Sequence, residues 1–501
     1  MNPEIFETPV PLSDYGRTHL IGIGGAGVSV IARLLVAEGV PVQGSDAVES
    51  AVLDGLRESG INAWGSHDAA HVVGPNGPLV DTVVISSAVR ETNPELKAAR
   101  DHGLRVLHRS HALASLMAGQ QAVAVAGAHG KTTTSAMIAT VLKELGLDPS
   151  FAIGGSVVVK EPDGTIGHIP GGYHGTGTVL VAEADESDGS FLNYQPLIAV
   201  VTNVEPDHLD HYGDVEAFEA AFDQFAKRIR PEGFLIACSD DAGSAALAQR
   251  HRDAGGKVIT YGTTPGSDVL ISNPEILADG AKAKLTGRPV WSGVDWVVAP
   301  EPIDLDLQVP GIHNLRNAAA AVITANLLSP GSATQAAKAA GNFLGTGRRF
   351  EYRGEANGVR VYDDYAHHPT EIEALLAGAR PFAGNGRLIV LFQPHLYSRT
   401  KNFADRFAAA LEYADAAVIT GVYKAREDVD PTVGAHTIIE AAAPGTKHLQ
   451  AVEDKLEAAH RVAAEAQPGD LVITVGAGDV TELADVILAD LTHAATNSTE
   501  G

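Results

Sequence analysis

Short apolar runs alternate with segments of helical period from one end of this 501-residue chain to the other. Strands of a parallel sheet are buried on both faces and need crossovers between them, so the alternation predicts an α/β fold with mainly parallel sheets. The pattern restarts near residue 120 and again after the sequence GTGRRF. Because single cores rarely grow beyond about 250–300 residues, we predict three domains, at residues 1–118, 119–344 and 345–501.

The expected strands and helices follow from the same pattern. Strands are predicted at residues 19–23, 41–44, 82–85, 122–126, 179–182, 197–202, 359–362, 388–392, 417–420 and 471–475. Helices are predicted at residues 28–38, 132–145, 317–328, 370–379 and 402–414, and a polar, helical stretch is predicted at 93–119. Residues 251–300 are rich in Gly, Pro and β-formers, which indicates hairpins within the second domain.

The composition excludes several classes of protein. A formal net charge of −26, with no basic tail, argues against nonspecific binding of nucleic acid. The sequence MNPEIFETPVPL has no secretory-signal pattern, and no apolar stretch is long enough for a transmembrane helix. We therefore expect a cytoplasmic protein without membrane insertion. The single cysteine, Cys238, is expected to be a buried strand thiol.

One glycine turn has the residues of a phosphate-binding loop. It follows an apolar run, opens a helical segment and contains Gly127, Ala128, His129, Gly130, Lys131, Thr132 and Thr133. The backbone N–H groups of such a loop and the helix N-terminus bind polyphosphate. Lys131, expected to be exposed in the loop, would reach the β- and γ-phosphates, and the Thr132 hydroxyl would coordinate magnesium. Val125 stands where the usual pattern begins with glycine.

A second glycine turn also lies between a strand and a helix. It contains Gly22, Gly24, Gly25, Ala26 and Gly27 in the spacing GxGxxG. Asp46 follows at the end of the next strand, either as a ribose contact or as a solvated acid. The turn alone is compatible with a dinucleotide cofactor or with the pyrophosphate of any nucleotide diphosphate. A nicotinamide-dependent dehydrogenase leaves the Gly-Lys-Thr sequence unexplained, and a P-loop motor or switch remains the other alternative.

Two further segments are candidates for a metal site. Glu183 is the first acid after the predicted strand 179–182, in the sequence EADESD. His208 follows the predicted strand 197–202, in the sequence TNVEPDHLDH. Acid and histidine groups at strand ends of a phosphate-binding domain favour a magnesium site, although each segment alone also reads as a solvated loop.

Four other clusters lie beside predicted strands or helices. They are HNLRN (313–317), GRRF (347–350), DDYAHHP (363–369) and QPHLYSRT (393–400). Helix capping would explain Asn314 as well as a purine contact would. The last three clusters place arginine, histidine and acid groups at strand ends of one domain, which indicates one face of a site.

These motifs, in this order, resemble the Mur ligases over nearly the whole chain. The resemblance implies a Rossmann-like N-terminal domain for a UDP-sugar, a central P-loop ATPase domain and a Rossmann-like C-terminal domain. The GIGGAG and DDYAHHPTE segments favour the member that joins L-alanine to the lactyl carboxylate of UDP-N-acetylmuramate. Its reaction is that of an ATP- and Mg²⁺-dependent carboxylate–amine ligase, and it proceeds through an acyl phosphate. The alternative is a Mur ligase that recycles murein tripeptide or adds another amino acid.

The resemblance also implies roles for particular residues. The UDP-sugar would contact the GIGGAG turn, Asp46, Ser86 and Ser87. Magnesium would lie among Thr132, Glu183 and His208. ATP would contact the residues of the phosphate loop, His313, Asn317, Arg348 or Arg349, and Asp363. The catalytic residues implied are Lys131, His208, His368 and Arg399, with His368 a candidate base for the amine and Arg399 near the lactyl group.

Two positions depart from the patterns of the family. Ala128 stands where the family commonly has Thr, which matters little if backbone amides bind the phosphates. Leu396 stands where many members have Arg, which puts a second arginine contact to the carboxylate in doubt. Several later-acting Mur ligases have a carbamylated lysine downstream of the DHxD segment. In this chain no lysine lies between His211 and Lys227, so we predict no such modification.

Overall fold

The computed structural model describes residue 5 and residues 8–161, 163–206, 209–277, 280–288, 301–425, 427–443, 446 and 448–499. Two compact units are present, one up to Gly345 and one from Thr346 onward. The three predicted domain boundaries stay a prediction. Within the described residues, no helix is both long enough and apolar enough to span a membrane.

The first unit begins with a five-stranded parallel sheet. Its elements are β1 (Thr18–Ile21), α1 (Ala26–Ala37), β2 (Val42–Ser45), α2 (Ala51–Glu58), β3 (Asn62–Trp64), β4 (Val73–Gly74), β5 (Gly77–Pro78), β6 (Thr82–Ile85), α3 (Pro94–Asp101), β7 (Arg105–His108) and α4 (Arg109–Met117). The strand order is β3-β2-β1-β6-β7, and β4 and β5 form a separate hairpin. From β1 the strands are added on one side as far as β3, and β6 and β7 are then added on the other side of β1. The strand order therefore reverses between β1 and β6, and α/β sheets bind ligands at such a point.

A ten-stranded sheet completes the first unit. Its elements are β8 (Gln121–Ala126), α5 (Lys131–Glu144), β9 (Ser150–Ala152), β10 (Val157–Lys160), β11 (Ile166–Ile169), β12 (Gly172–Tyr173), β13 (Val179–Glu183), β14 (Ile198–Val201), α6 (Leu209–Tyr212), α7 (Val215–Lys227), β15 (Phe234–Cys238), α8 (Ala242–Asp253), β16 (Val258–Gly262), β17 (Val269–Leu277), β18 (Gly280–Gly287), β19 (Ile303–Leu307), α9 (Ile312–Leu328) and α10 (Ala333–Ala340). The order is β12-β9-β13-β8-β14-β15-β16-β17-β18-β19, with β10 and β11 as a separate hairpin.

The two faces of this sheet belong to different cores because side chains alternate along a strand. In β8, Ala122, Ala124 and Ala126 lie in a core shared with α1 and α4 of the first sheet. Val123 and Val125 lie in a second core, with α5, α9 and α10. The shared core explains why the two sheets form one compact unit.

The second unit has one six-stranded sheet with a core on each face. Its elements are β20 (Glu351–Ala356), β21 (Val359–Asp364), α11 (Pro369–Ala383), β22 (Leu388–Phe392), α12 (Tyr397–Asn402), α13 (Ala404–Leu411), β23 (Ala416–Ile419), α14 (Ala435–Ala441), β24 (Leu449–Ala451), α15 (Lys455–Glu465), β25 (Leu471–Val475) and α16 (Leu483–Thr499). The order is β20-β21-β25-β22-β23-β24, and only β20 runs antiparallel to its neighbour among the described strands.

Most sequence-based expectations for the fold are confirmed. Each predicted strand is present with its ends within two residues of the prediction, and β17 and β18 form the expected hairpin. Two expectations were wrong. The stretch 93–119 contains the strand β7 between its two helices, and the single helix predicted at 402–414 is two helices, α12 and α13, that meet at Phe403.

Candidate active site

Glycines allow the backbone conformation of the phosphate loop, and two residues at the end of the neighbouring strand form hydrogen bonds with it. Gly130 is the N-cap of α5 with φ +84°, and Gly127 has φ +133°. A Cβ on Gly127 would lie 2.3 Å from Thr202 Oγ1, so only glycine fits there. Thr202 Oγ1 and Asn203 Nδ2 both donate to the carbonyl of His129, and His129 N donates to Asn203 Oδ1. The predicted site did not include Thr202 or Asn203, although the TN pair at a strand end was a visible signal.

Lys131 turns back over this loop. Its Nζ donates to Gly127 O over 2.6 Å and lies 2.9 Å from Glu186 Oε2. The side chain is 17% exposed, so the expectation of an exposed lysine was wrong. Burial opposes its charge, but the carboxylates of Glu186 and Asp185 outweigh burial and raise the pKa of Lys131. Lys131 therefore stays positively charged beside the loop.

Oxygen groups that suit a magnesium ion lie near the same loop. Thr132 is in the first turn of α5, and Glu183 ends β13, paired in register with Val125 of β8. Glu183 Oε1 accepts a hydrogen bond from Gly154 N over 2.8 Å. His208 lies outside the described residues, among which no group of three or more His, Cys, Asp or Glu is arranged for a metal ion. The metal role of these residues stays a prediction.

The start of α9 lies under the phosphate loop. Thr134 Oγ1 donates to Asn317 Oδ1 over 3.0 Å, and a Cβ on Gly130 would lie 3.5 Å from the same oxygen. Gly311 is the N-cap, so capping does not explain Asn314, whose amide donates to Pro310 O. In this structure Asn317 Nδ2 donates to Asn314 Oδ1 over 3.4 Å. The predicted adenine contact of Asn317 stays a prediction.

His313 is the other predicted adenine contact. Burial, together with the charge of Arg316, lowers the pKa of His313. Arg316 Nε in turn donates to Asp240 Oδ2 over 2.7 Å. The predicted adenine contact of His313 stays a prediction.

The second glycine turn is held by the end of β2. Gly22 and Ile23 donate their N–H groups to Ser45 O, and Gly24 N donates to Asp46 Oδ2 over 2.9 Å. Asp46 therefore accepts a hydrogen bond from the glycine turn itself. Neither sequence-based alternative, a ribose contact or a solvated acid, anticipated this. The helix α1 begins at Ala26 directly after the turn.

The ends of β6 and β7 lie at the same edge of the first sheet. Ser86 and Ser87 follow β6, and the hydroxyl of Ser87 lies 3.1 Å from His108 Nε2 at the end of β7. Ser87 also donates to Asp188 of the acidic loop, and Arg109 binds Asp185 of that loop. The structure thus brings the Ser87 segment to the EADESD segment. Sequence reasoning assigned no role to Arg109.

In the second unit, Arg348 is held by a buried carboxylate. Arg348 has φ +59°, its Nε donates to Asp363 Oδ2 over 3.1 Å, and its guanidinium lies 4.9 Å from the ring centre of Tyr365. Asp363 is fully buried and also accepts hydrogen bonds from Thr474 and Thr481. Asp363 Oδ1 thus accepts from Thr474, whereas Oδ2 accepts from both Arg348 and Thr481. The predicted contact of Asp363 with ATP stays a prediction.

His368 and Arg399 lie at the same edge of the six-stranded sheet. His368 follows β21 and is the N-cap of α11, with its ring 5.3 Å from Phe403. Arg399 lies in α12, which follows β22 and begins after Leu396 with φ +69°. Beside them, burial lowers the pKa of His367 to about 4 despite the opposing charge of Glu371.

In the first unit, the ten-stranded sheet has the phosphate loop and the five-stranded, Rossmann-like sheet has the second glycine turn. This combination is that of an α/β nucleotide-dependent enzyme. Family models match almost all of the chain: "Mur ligase family, catalytic domain" at residues 17–121, "Mur ligase middle domain" at 125–325 and "Mur ligase, glutamate ligase domain" at 348–478. The chain belongs to the Mur ligase family.

Individual relatives agree with this assignment. The UDP-N-acetylmuramate–L-alanine ligase of Kineococcus radiotolerans is 53% identical over 94% of this chain and 96% of its own length. The enzyme of the same name from Renibacterium salmoninarum is 49% identical over 98% and 99%. The solved UDP-N-acetylmuramate–alanine ligase of Thermotoga maritima is 28% identical, with a TM-score of 0.77 over 95% of this chain and 99% of its own.

Proposed function

We propose that this chain is an ATP-dependent ligase that joins L-alanine to the lactyl carboxylate of UDP-N-acetylmuramate. The observation that carries the proposal is the match of about half of all residues to two alanine-adding ligases along nearly their whole length. The geometry agrees, because one unit contains both a phosphate loop and a glycine turn suited to a nucleotide diphosphate. We infer that the enzyme acts in the cytoplasm, where ATP and UDP-sugars are available.

The chemical obstacle is repulsion between two anions. The lactyl carboxylate must approach the γ-phosphate of ATP, and positive groups must offset the charge that develops. Lys131 and the N-terminus of α5 supply that potential, and Lys131 must exchange Glu186 for phosphate oxygens to do so. A carboxylate oxygen displaces ADP from the γ-phosphorus to give an acyl phosphate. The amine of L-alanine then attacks the carbonyl of this acyl phosphate and expels inorganic phosphate, which leaves the amide.

Thr132 and Glu183 fit a magnesium ion, because both provide the oxygen atoms that this hard cation prefers. We propose that they hold it together with His208. The ion would neutralise phosphate charge and orient the transferring group. The protein's own part is to fix these oxygens in the first turn of α5 and at the end of β13.

The remaining proposed residues act on the acceptor and the amine. Arg399 is proposed to orient the lactyl carboxylate. The amine must be neutral to attack, and His368 is proposed to take its proton. Arg348 is proposed to contact the phosphates of ATP, with Asp363 holding its guanidinium in place.

Transfer of oxygen from the carboxylate tests both the acceptor and the intermediate. UDP-N-acetylmuramate labelled with ¹⁸O in the lactyl carboxylate is incubated with ATP, Mg²⁺ and L-alanine. We expect UDP-N-acetylmuramoyl-L-alanine and one ¹⁸O in each phosphate released. Unlabelled phosphate would exclude the acyl phosphate. A product formed only with a murein tripeptide would assign the chain to the recycling ligases instead.

A further inference from the structure

Arg109 lies between the glycine turn of the first sheet and the acidic loop of the second. It is the first residue of α4 and directly follows β7. Its Nη2 donates to Asp185 Oδ2 over 2.7 Å, and its Nη1 would lie 3.2 Å from a Cβ placed on Gly27. The side chain is 19% exposed, so this cation is largely removed from water. Arg109 therefore lies beside the turn proposed to bind the UDP-sugar.

The acidic loop connects Arg109 to the phosphate loop through two consecutive residues. Asp185 accepts a hydrogen bond from Arg109, whereas Glu186 lies 2.9 Å from Lys131 Nζ. Glu186 is only 1% exposed, and a buried carboxylate depends strongly on its cation. The two ion pairs therefore lie on consecutive residues of one loop, separated by a single peptide unit.

A second contact ties the same loop to the first sheet. Ser87 Oγ donates to Asp188 Oδ2, and His108 Nε2 lies 3.8 Å from that carboxylate. Asp185 Oδ1 also accepts from Ser187 N, which makes the loop a compact turn. The loop is thus anchored to the first sheet at Asp185 and Asp188, and to Lys131 between them.

We propose that Arg109 is a positioning residue that couples the UDP-sugar site to the ATP site. An anion at the GIGGAG turn competes with Asp185 for Arg109. As Asp185 is released, Glu186 loosens its hold on Lys131, which is then available to the phosphates of ATP. Such coupling is reciprocal, so ATP tightens the UDP-sugar by the same factor. The inference rests on the proposed function in taking UDP-N-acetylmuramate as the ligand of the turn.

The test measures the coupling factor directly. The dissociation constant of a nonhydrolysable ATP analogue is determined by calorimetry with and without saturating UDP-N-acetylmuramate. Coupling factors are typically about 5–150, and we expect a value in this range for the wild type. In Arg109→Met and in Asp185→Asn the factor should fall to about 1, and the double variant should show no further loss. Arg109→Lys, which keeps the charge, should retain part of it.

Arg57→Met is the matched control, because Arg57 lies in α2, pairs with Glu49 over 2.8 Å and should leave the coupling factor unchanged. An uncoupled wild type, or wild-type coupling in both variants, would overturn the proposal. A third result would also overturn it: Arg109→Met binds UDP-N-acetylmuramate more weakly in the absence of ATP, while Asp185→Asn keeps the normal coupling factor. Arg109 would then be only a ligand of the UDP-sugar. If Arg109→Met does not fold, Asp185→Asn decides. A wild type that fails to ligate L-alanine contradicts the proposed function instead.

Discussion

At the scale of single residues, Lys131 shows which structural features a sequence motif predicts and which it does not. The Gly-Lys-Thr sequence predicts the loop and its helix, because glycine conformations and the helix start are local properties. It does not predict that the ammonium group is buried against Glu186, because that partner is 55 residues away in the sequence. Asp46 is a similar case, since its hydrogen bond to Gly24 N depends on how two strand ends meet.

Substitution of Lys131 has two separable effects. Lys131→Ala should lower kcat by about 10²–10³-fold, the usual cost of removing one donor to a transition-state charge. It should also lower Tm, because Glu186 is left buried without that cation. Glu186→Gln in the same background should restore Tm but not activity. Lys143→Ala, in the last turn of α5, is the control. Near-wild-type turnover of Lys131→Ala at saturating ATP would exclude Lys131 from catalysis.

Glu183→Gln isolates the charge of the proposed magnesium ligand. The amide oxygen of glutamine can still accept the hydrogen bond from Gly154 N, so the local turn should persist. We expect the Mg²⁺ concentration for half-maximal activity to rise by at least about tenfold. Glu161→Gln, on an exposed turn, serves as the control. An unchanged magnesium titration would return Glu183 to the role of a structural acid.

At the scale of elements, uniform apolar runs were predictable, whereas some short mixed strands, such as β7, were not. The run LIVLF of β22 is buried on both faces, and β8 alternates alanine and valine between two cores. Both patterns are easy to recognise in a sequence because nearly every residue of the strand is apolar and buried. By contrast, β7 begins with an exposed arginine and ends with His108, so its period is hidden. Its pairing with β6, a tertiary contact, makes it a strand.

The first sheet also contains a buried carboxylate that links stability to pH. Glu95 of α3 is fully buried, and its carboxylate accepts a hydrogen bond from Ser45. The same carboxylate lies beside the ring nitrogens of three histidines, His19, His67 and His71. Burial alone would raise the pKa of Glu95, but the hydrogen bonds and charge of these neighbours outweigh it and lower the pKa to about 2. Because the folded pKa is depressed, the stabilisation is present above the ordinary value near 4.5 and is lost as pH falls towards 2.

Glu95→Gln tests this linkage. The shift from 4.5 to about 2 corresponds to about 3 kcal/mol of unfolding free energy at neutral pH. We expect the wild type to exceed the variant in urea-unfolding free energy above pH 5, and the difference to shrink steadily at lower pH. Glu58→Gln, an exposed acid at the end of α2, is the control. A difference that stays constant between pH 7 and pH 3 would contradict the assigned cause.

At the scale of the whole molecule, the chain order of the motifs predicted the architecture. Each glycine turn or acidic segment follows a strand, and parallel strands bring such ends to one edge of a sheet. The sequence did not reveal that the first two sheets share a core, because the contacting faces of α1 and β8 are distant in the chain. The boundary between the two compact units falls at Gly345, whose φ is +118°.

The second unit has its own cores on both faces of its sheet, so it should fold alone. A fragment of residues 346–501 is expected to unfold cooperatively in urea. Ile473→Asp, which places a charge in a fully buried strand, should abolish the transition. A noncooperative fragment would show that this unit needs the rest of the chain.

The most direct test of the proposed activity is the release of phosphate from ATP in the presence of UDP-N-acetylmuramate and a panel of amino acids. We predict that release requires both the UDP-sugar and an amino acid, and that L-alanine gives the highest kcat/KM. Serine and glycine should follow within about 10–200-fold, because one methyl or hydroxyl group is worth only about 1–3 kcal/mol in such a pocket. Release without an acceptor, or a preference for glutamate or a murein tripeptide, would contradict the assignment.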